Sequence, residues 1–271
     1  MSDTPPLTLH PDRLFPAEAR TRELARRLYE RVRALPIVSP HGHADPAWFS
    51  DNAAFSDPAR LLIVPDHYLF RMLYSQGVPL EELGVPRRDG GPVEENPRVI
   101  WRRFAENYHL FRGTPSRLWL DHALGEVFGV RERLGPESAE RIYDRLAACL
   151  AREEFRPRAL FDRFGIEVLT TTESPLDSLD SHRAIEASDW PGRVVPCFRP
   201  DPVVDPEHEG FADAVARLGE ITGEDCASWR GYLRALAVRR EQFRRMGATS
   251  TDHGHPSART ADLDPRRCEG L

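Results

Sequence analysis

Two histidines with a single glycine between them, His41-Gly42-His43, follow the short apolar run Ile37-Val38 and stand just before Asp45-Pro46. On an extended chain, residues two apart point the same way, so both imidazoles can converge on one point. Imidazole suits zinc and similar transition metals, and two such ligands make half of a tetrahedral site. The pattern alone is weak. With ten histidines in 271 residues, a His-x-His arises by chance in roughly one such chain of three. This chain has a second, His253-Gly254-His255. Position favours the first, because it lies at the carboxyl end of a strand candidate, where α/β barrels place their chemistry.

The elements that would position this pair come from hydrophobic periodicity. Residues 17–35 carry Leu24, Leu28, Val32 and Leu35 on one stripe and predict an amphipathic helix ending at Pro36, placed to cover one end of the sheet that starts at Ile37. From 47 to about 156 no strand is predicted. Asp57 and Asp66 are candidate N-caps, residues 78–97 form a loop, and helices are expected over 96–111, 114–128 and 136–150, each with proline in or near its first turn. After this helical insertion the rhythm changes. Buried strands are predicted at 166–172 and 193–198 and a short one at 247–251, with helices over 175–187, 207–222 and 226–246 between them. That order implies right-handed parallel β-α-β units. The domain reading is 1–46 for the first helix and strand, 47–156 for the insertion, and 157–271 for the continuing β/α units.

The chemically useful residues sit just after these strands: His41 and His43; Thr171, Thr172 and Glu173; Arg199 and Asp201; Asp252 and His253. In a parallel sheet those ends share one face, so four distant clusters would meet there. Taken singly, Arg199 reads first as a surface ion-pair partner, and Asp252 equally well as a turn cap. Composition sets the class. Forty per cent hydrophobic and thirty per cent charged residues describe a globular chain, and a net charge of −6 gives no case for nucleic acid or an anionic membrane. The four cysteines are widely spaced without a C-x-x-C, no run is long enough to span a membrane, and no leader pattern opens the chain, so a cytoplasmic protein is expected.

Taken together, His41-Gly42-His43, Asp66-His67-Tyr68, Trp119-Leu120-Asp121-His122, the run Thr171 through His182, Phe198-Arg199-Pro200-Asp201 and Thr251-Asp252-His253-Gly254 resemble the uronate isomerase (glucuronate isomerase) family of the metal-dependent amidohydrolase superfamily. The resemblance implies a distorted (β/α)8 TIM-barrel-like fold with a large helical insertion after the first strand. It also implies interconversion of an aldouronate with its ketose isomer, either D-glucuronate with D-fructuronate or D-galacturonate with D-tagaturonate. By the same resemblance His41 and His43 are metal ligands for a divalent ion, zinc first and manganese second. His67, Tyr68, Asp252 and His253 are catalytic candidates, and Arg199 is the candidate for the uronate carboxylate, which a guanidinium fork suits. A homo-oligomer is expected. Relatives often carry Asp-Asp where this chain has Glu173-Ser174.

About four strands are predicted where a barrel has eight, and the family's further aspartate ligand has no counterpart. The chain therefore reads as the N-terminal part of the family's chain, with an incomplete barrel, weak metal binding and little activity of its own. Two other readings stand beside it: a hydrolase of the same superfamily acting on a small carboxylated substrate, and an inactive fragment that needs a partner.

Overall fold

The computed structural model describes residues 5–254 together with 261, 262, 264, 266 and 267. In chain order its elements are α1 (Ala19–Val32), β1 (Ile37–Ser39), α2 (Pro46–Asp51), α3 (Pro58–Leu62), α4 (His67–Ser75), α5 (Pro97–Glu106), α6 (Pro115–His122), α7 (Ala139–Leu150) and α8 (Pro157–Arg163). They continue as β2 (Ile166–Glu173), α9 (Asp180–Glu186), β3 (Arg193–Phe198), α10 (Asp201–Val204), α11 (Phe211–Thr222) and α12 (Trp229–Arg245). Two compact units divide the chain, Met1–Ala34 with Ala53–Ala159, and Leu35–Asn52 with Leu160–Leu271.

The first unit is helical. Asp57, Asn96 and Thr114 each accept a backbone N–H in the first turn of α3, α5 and α6, at 2.8, 3.0 and 3.2 Å. Each is followed by proline at the first helical position, where a missing N–H costs nothing. Its core is aromatic: Trp101, Phe104, Tyr108 and Phe111 are buried together, with ring centroids 5.3–6.2 Å apart in the neighbouring pairs. The expected helix 114–128 changes pitch at Ala123–Val127, a wider π turn, and α7 starts three residues after Pro136. The stripe on α1 does not bury: Leu24, Leu28 and Val32 are all exposed, and no residue of the helix is buried.

The second unit carries a three-stranded parallel sheet in the order β1-β2-β3. Val168 through Glu173 pair in unbroken register with Arg193 through Phe198. β3 is buried from Val194 to Phe198, as a parallel strand covered on both faces should be. By contrast β1 is short, its register shifts between Ile37 and Val38, and both residues stay exposed. The fourth expected strand shrinks to one parallel bridge, Phe198 with Thr251. Helices α9 and α12 pack against β3, and α2 packs on α9. Phe49, Phe161, Ile185 and Val194 form one core cluster, with Trp190 stacked on Phe49 at 5.9 Å; Leu179, Phe198 and Phe243 form another. What is present is an α/β arrangement of three parallel strands with helices.

Candidate functional site

Because the three strands run parallel, Pro40–His43, Ser174 and Arg199 all leave the sheet at the same end. The centre of that end is β2. Its three consecutive threonines place hydroxyls where an apolar strand would carry methyl groups. Thr172 Oγ1 donates to the Gly42 carbonyl at 2.7 Å and so ties the histidine loop to the sheet. Gly42 itself lies close in: a Cβ there would stand 3.0 Å from the Thr170 carbonyl oxygen. Ser39 Oγ donates to the His41 carbonyl at 3.1 Å, and Asp45 ends the loop by capping α2 through the Ala47 N–H at 2.8 Å.

Held in this way, the two imidazoles meet edge to face. Their Nε2 atoms are 3.1 Å apart, and both rings are exposed. Two imidazoles on one tetrahedral ion, with bonds of roughly 2.0–2.1 Å, would hold their nitrogens about 3.3 Å apart. The pair fits half of such a coordination shell. Among the described residues no third histidine, cysteine, aspartate or glutamate joins them to complete one.

Arg199 follows β3 directly. Its N–H donates to the Glu173 carbonyl at 2.8 Å, so the backbone of β2 fixes where the side chain starts. Its Nε donates to Asp201 at 2.8 Å and its Nη1 to Asp252 at 2.7 Å. Those bonds, first of all the one to Asp201, raise the guanidinium pKa further. Burial works against the Asp201 carboxylate, but the Gly254 N–H and Arg199 outweigh it and keep its pKa below the ordinary value. A cleft of ≈ 480 Å³ opens beside this group, lined by Arg199, Asp201, Thr172, Ser174 and His208. The structure thus joins Arg199 and Asp201 to Asp252, which lies 53 positions from Arg199. A bidentate grip on a ligand carboxylate through Nη1 and Nη2 requires Asp252 to let go. His253 is exposed with Nε2 3.2 Å from Thr251 Oγ1, and His255 lies outside the described residues.

His67 and Tyr68 belong to the other unit. Asp66 caps α4 through the Tyr68 N–H at 2.8 Å and presents both rings on the first turn, exposed, with centroids 4.2 Å apart. In the same unit Asp121, part of the motif Trp119 through His122, accepts from the Tyr108 hydroxyl at 2.9 Å and from Arg117 Nε at 2.8 Å.

Sequence reasoning gave no role to His182. It is buried, with Nε2 2.9 Å from Thr171 Oγ1 and 3.8 Å from Glu173 Oε1. Burial lowers its pKa to about 4, so the ring is neutral at pH 7 and no ion pair forms with Glu173. Burial also pushes the Glu173 carboxyl up to about 7, against the hydrogen bond from Thr171. Among the described residues, Glu173 Oε2 and His182 Nδ1 have no hydrogen-bond partner. A histidine on a helical apolar stripe gives no sign of a buried carboxyl facing it from a strand.

Known proteins give the arrangement its context. A family model described as glucuronate isomerase matches residues 18–269. Uronate isomerases of Rhizorhabdus wittichii and Phenylobacterium zucineum are 63% and 59% identical over 98% and 99% of this chain, which spans 56% of each. The crystal structure of glucuronate isomerase from Caulobacter crescentus superposes with a TM-score of 0.94 at 53% identity, over 98% of this chain and 55% of that one. The uronate isomerase from Thermotoga maritima does so with a TM-score of 0.84 at 27% identity, over 97% of this chain and 56% of that one. The chain spans about half the length of the relatives it matches.

Proposed function

Since the chain belongs to the glucuronate isomerase family, we propose that it carries the metal-binding end of an aldose–ketose isomerase site for uronates. The reaction would interconvert D-glucuronate and D-fructuronate, or the galacturonate and tagaturonate pair. The observation that carries this reading is the pair of imidazoles, 3.1 Å apart at the end of β1, in the same unit as the arginine that follows β3.

In this reading His41 and His43 hold a divalent ion, zinc or manganese. When bound, such an ion polarises the oxygen next to the reacting carbon. Arg199 meets the uronate carboxylate through Nη2, while Asp201 and Asp252 hold the other guanidinium nitrogens and fix its plane. Isomerisation moves one proton from C2 to C1 and another from the C2 hydroxyl to the C1 oxygen, leaving atoms and electrons balanced. His67, Tyr68 and His253 are the groups we assign to hold or pass those protons, with Asp252 acting through Arg199. The remaining strands of a (β/α)8 barrel, the rest of the metal shell and a homo-oligomeric state are parts of the same proposal. We assign the protein to the cytoplasm, a reading supported by the thiols of Cys149 and Cys197, which are free and buried.

The test is a chimera in which residues 1–254 replace the matching part of the Caulobacter crescentus relative. It is expected to take up one divalent ion per chain and to convert glucuronate to its ketose. Changing both His41 and His43 to Ala should remove metal and activity together. A folded, metal-loaded chimera that leaves uronates unchanged would overturn the proposal.

A further inference from the structure

A second cleft of ≈ 480 Å³ lies in the sheet-bearing unit, between the turn that follows β2 and helices α9, α11 and α12. Four arginines from three helices line it: Arg183 on α9, Arg217 on α11, and Arg239 and Arg245 on α12. Among the described residues only one acid, Asp177, shares the lining. Its carboxylate is turned to its own chain, accepting the Ser174 N–H at 2.8 Å.

Arg239 sets this cleft apart from a chance gathering of surface arginines. It is 5% exposed. Its Nε and Nη2 donate to the Pro175 and Asp177 carbonyls at 2.6 and 2.7 Å, and Nη1 donates to Gln242. These bonds go to neutral oxygens, and among the described residues no carboxylate is hydrogen-bonded to this guanidinium, which is unusual for a buried charge. Burial lowers the Arg239 pKa; the Asp177 charge works against that shift and the Arg183 charge with it. The other three arginines pair with Asp180, Glu220 and Glu241 along their own helices. Such exposed pairs contribute little and exchange readily for a better anion.

We infer that this cleft is a binding site for a small anion carrying two or more negative charges, of the phosphate or polycarboxylate kind. The site is separate from the one at the strand ends, although Asp177 borders both clefts. Its volume suits a small metabolite. Guanidinium forks from three helices provide bidentate contacts to tetrahedral or planar oxyanions.

Isothermal titration of the purified chain with inorganic phosphate, and separately with citrate, tests the inference at constant ionic strength with sodium chloride as the control. Saturable binding at one site per chain is expected. The double variant R183Q/R245Q, altered only at exposed positions, should weaken it at least tenfold, whereas R152Q in the other unit should leave it unchanged. Tighter binding of phosphate than citrate would mark a phosphorylated ligand, and the reverse a polycarboxylate. Heat no different from the chloride control, or equal affinity in the double variant, would overturn the site.

Discussion

Glu173 and His182 are two buried groups whose pKa values burial shifts in opposite directions, so their contributions to stability change oppositely with pH. Folded Glu173 keeps its proton up to about pH 7, while the unfolded chain loses it near 4.5. Its contribution to stability is therefore complete below 4.5 and lost as pH rises through 7. His182 stays neutral in the fold down to about 4 but takes a proton near 6.5 when unfolded. Its contribution is complete above 6.5 and lost as pH falls through 4. Between 4.5 and 6.5 the two offset each other, so native stability should be flat there. Single variants separate them: in thermal melts Glu173→Gln should gain stability from pH 4 to 6.5, and His182→Gln should lose it from 4.5 to 7. Each change should span about 3 kcal/mol; parallel profiles in both variants would refute the pairing. In the chimera, Arg199→Lys keeps the charge but cannot bridge Asp201 and Asp252, so KM for uronate should rise at least tenfold. An unchanged KM would leave Arg199 a structural ion-pair partner. The sequence identified Arg199 by its place after a strand. The same placement put Asp201 and Asp252 on that face but did not reveal the ion pairs themselves, because no periodicity links Arg199 to a residue 53 positions away.

Among the elements, helices were the most legible, since Asp57, Asp66, Asn96 and Thr114 announce their starts through side chains that cap within three residues. The histidine loop depends instead on a distant partner. Thr172→Val should leave the Gly42 carbonyl without its hydroxyl donor, costing about 1 kcal/mol. Metal affinity, followed by cobalt absorption, should fall several-fold while Thr172→Ser preserves it. Equal affinities in the two variants would show that the loop holds itself. The fourth expected strand does not form a ladder: residues 247–251 are Gly, Ala, Thr and Ser, which give too little apolar surface to secure one beside β3. Only Thr251 bridges, with Phe198 donating to the Ser250 carbonyl and accepting from the Asp252 N–H. The α1 stripe lies on a helix as its spacing implies, but amphipathicity states that a face is apolar and not what covers it.

For the whole molecule, the same exposed surfaces predict behaviour in solution. Val38 is 60% and Leu28 62% exposed, and β1 offers one short, uncharged strand edge. A purified 271-residue chain should self-associate with rising concentration in sedimentation runs, and Val38→Lys should reduce it. Identical profiles for the variant would acquit β1. The fold class was visible in the strand–helix alternation; how many strands gather beyond these three is not written in local periodicity. Timing follows from the tie between Thr172 and Gly42, which are 130 positions apart. A ribosome adding about 5–20 residues per second needs roughly 6–26 s to pass from one to the other. Closing so long a loop costs about 4 kcal/mol of chain entropy before any strand pair repays it. The histidines emerge early, yet they acquire their geometry only after the helical segment between them and β2 has been made, so the metal pair is a late product of synthesis.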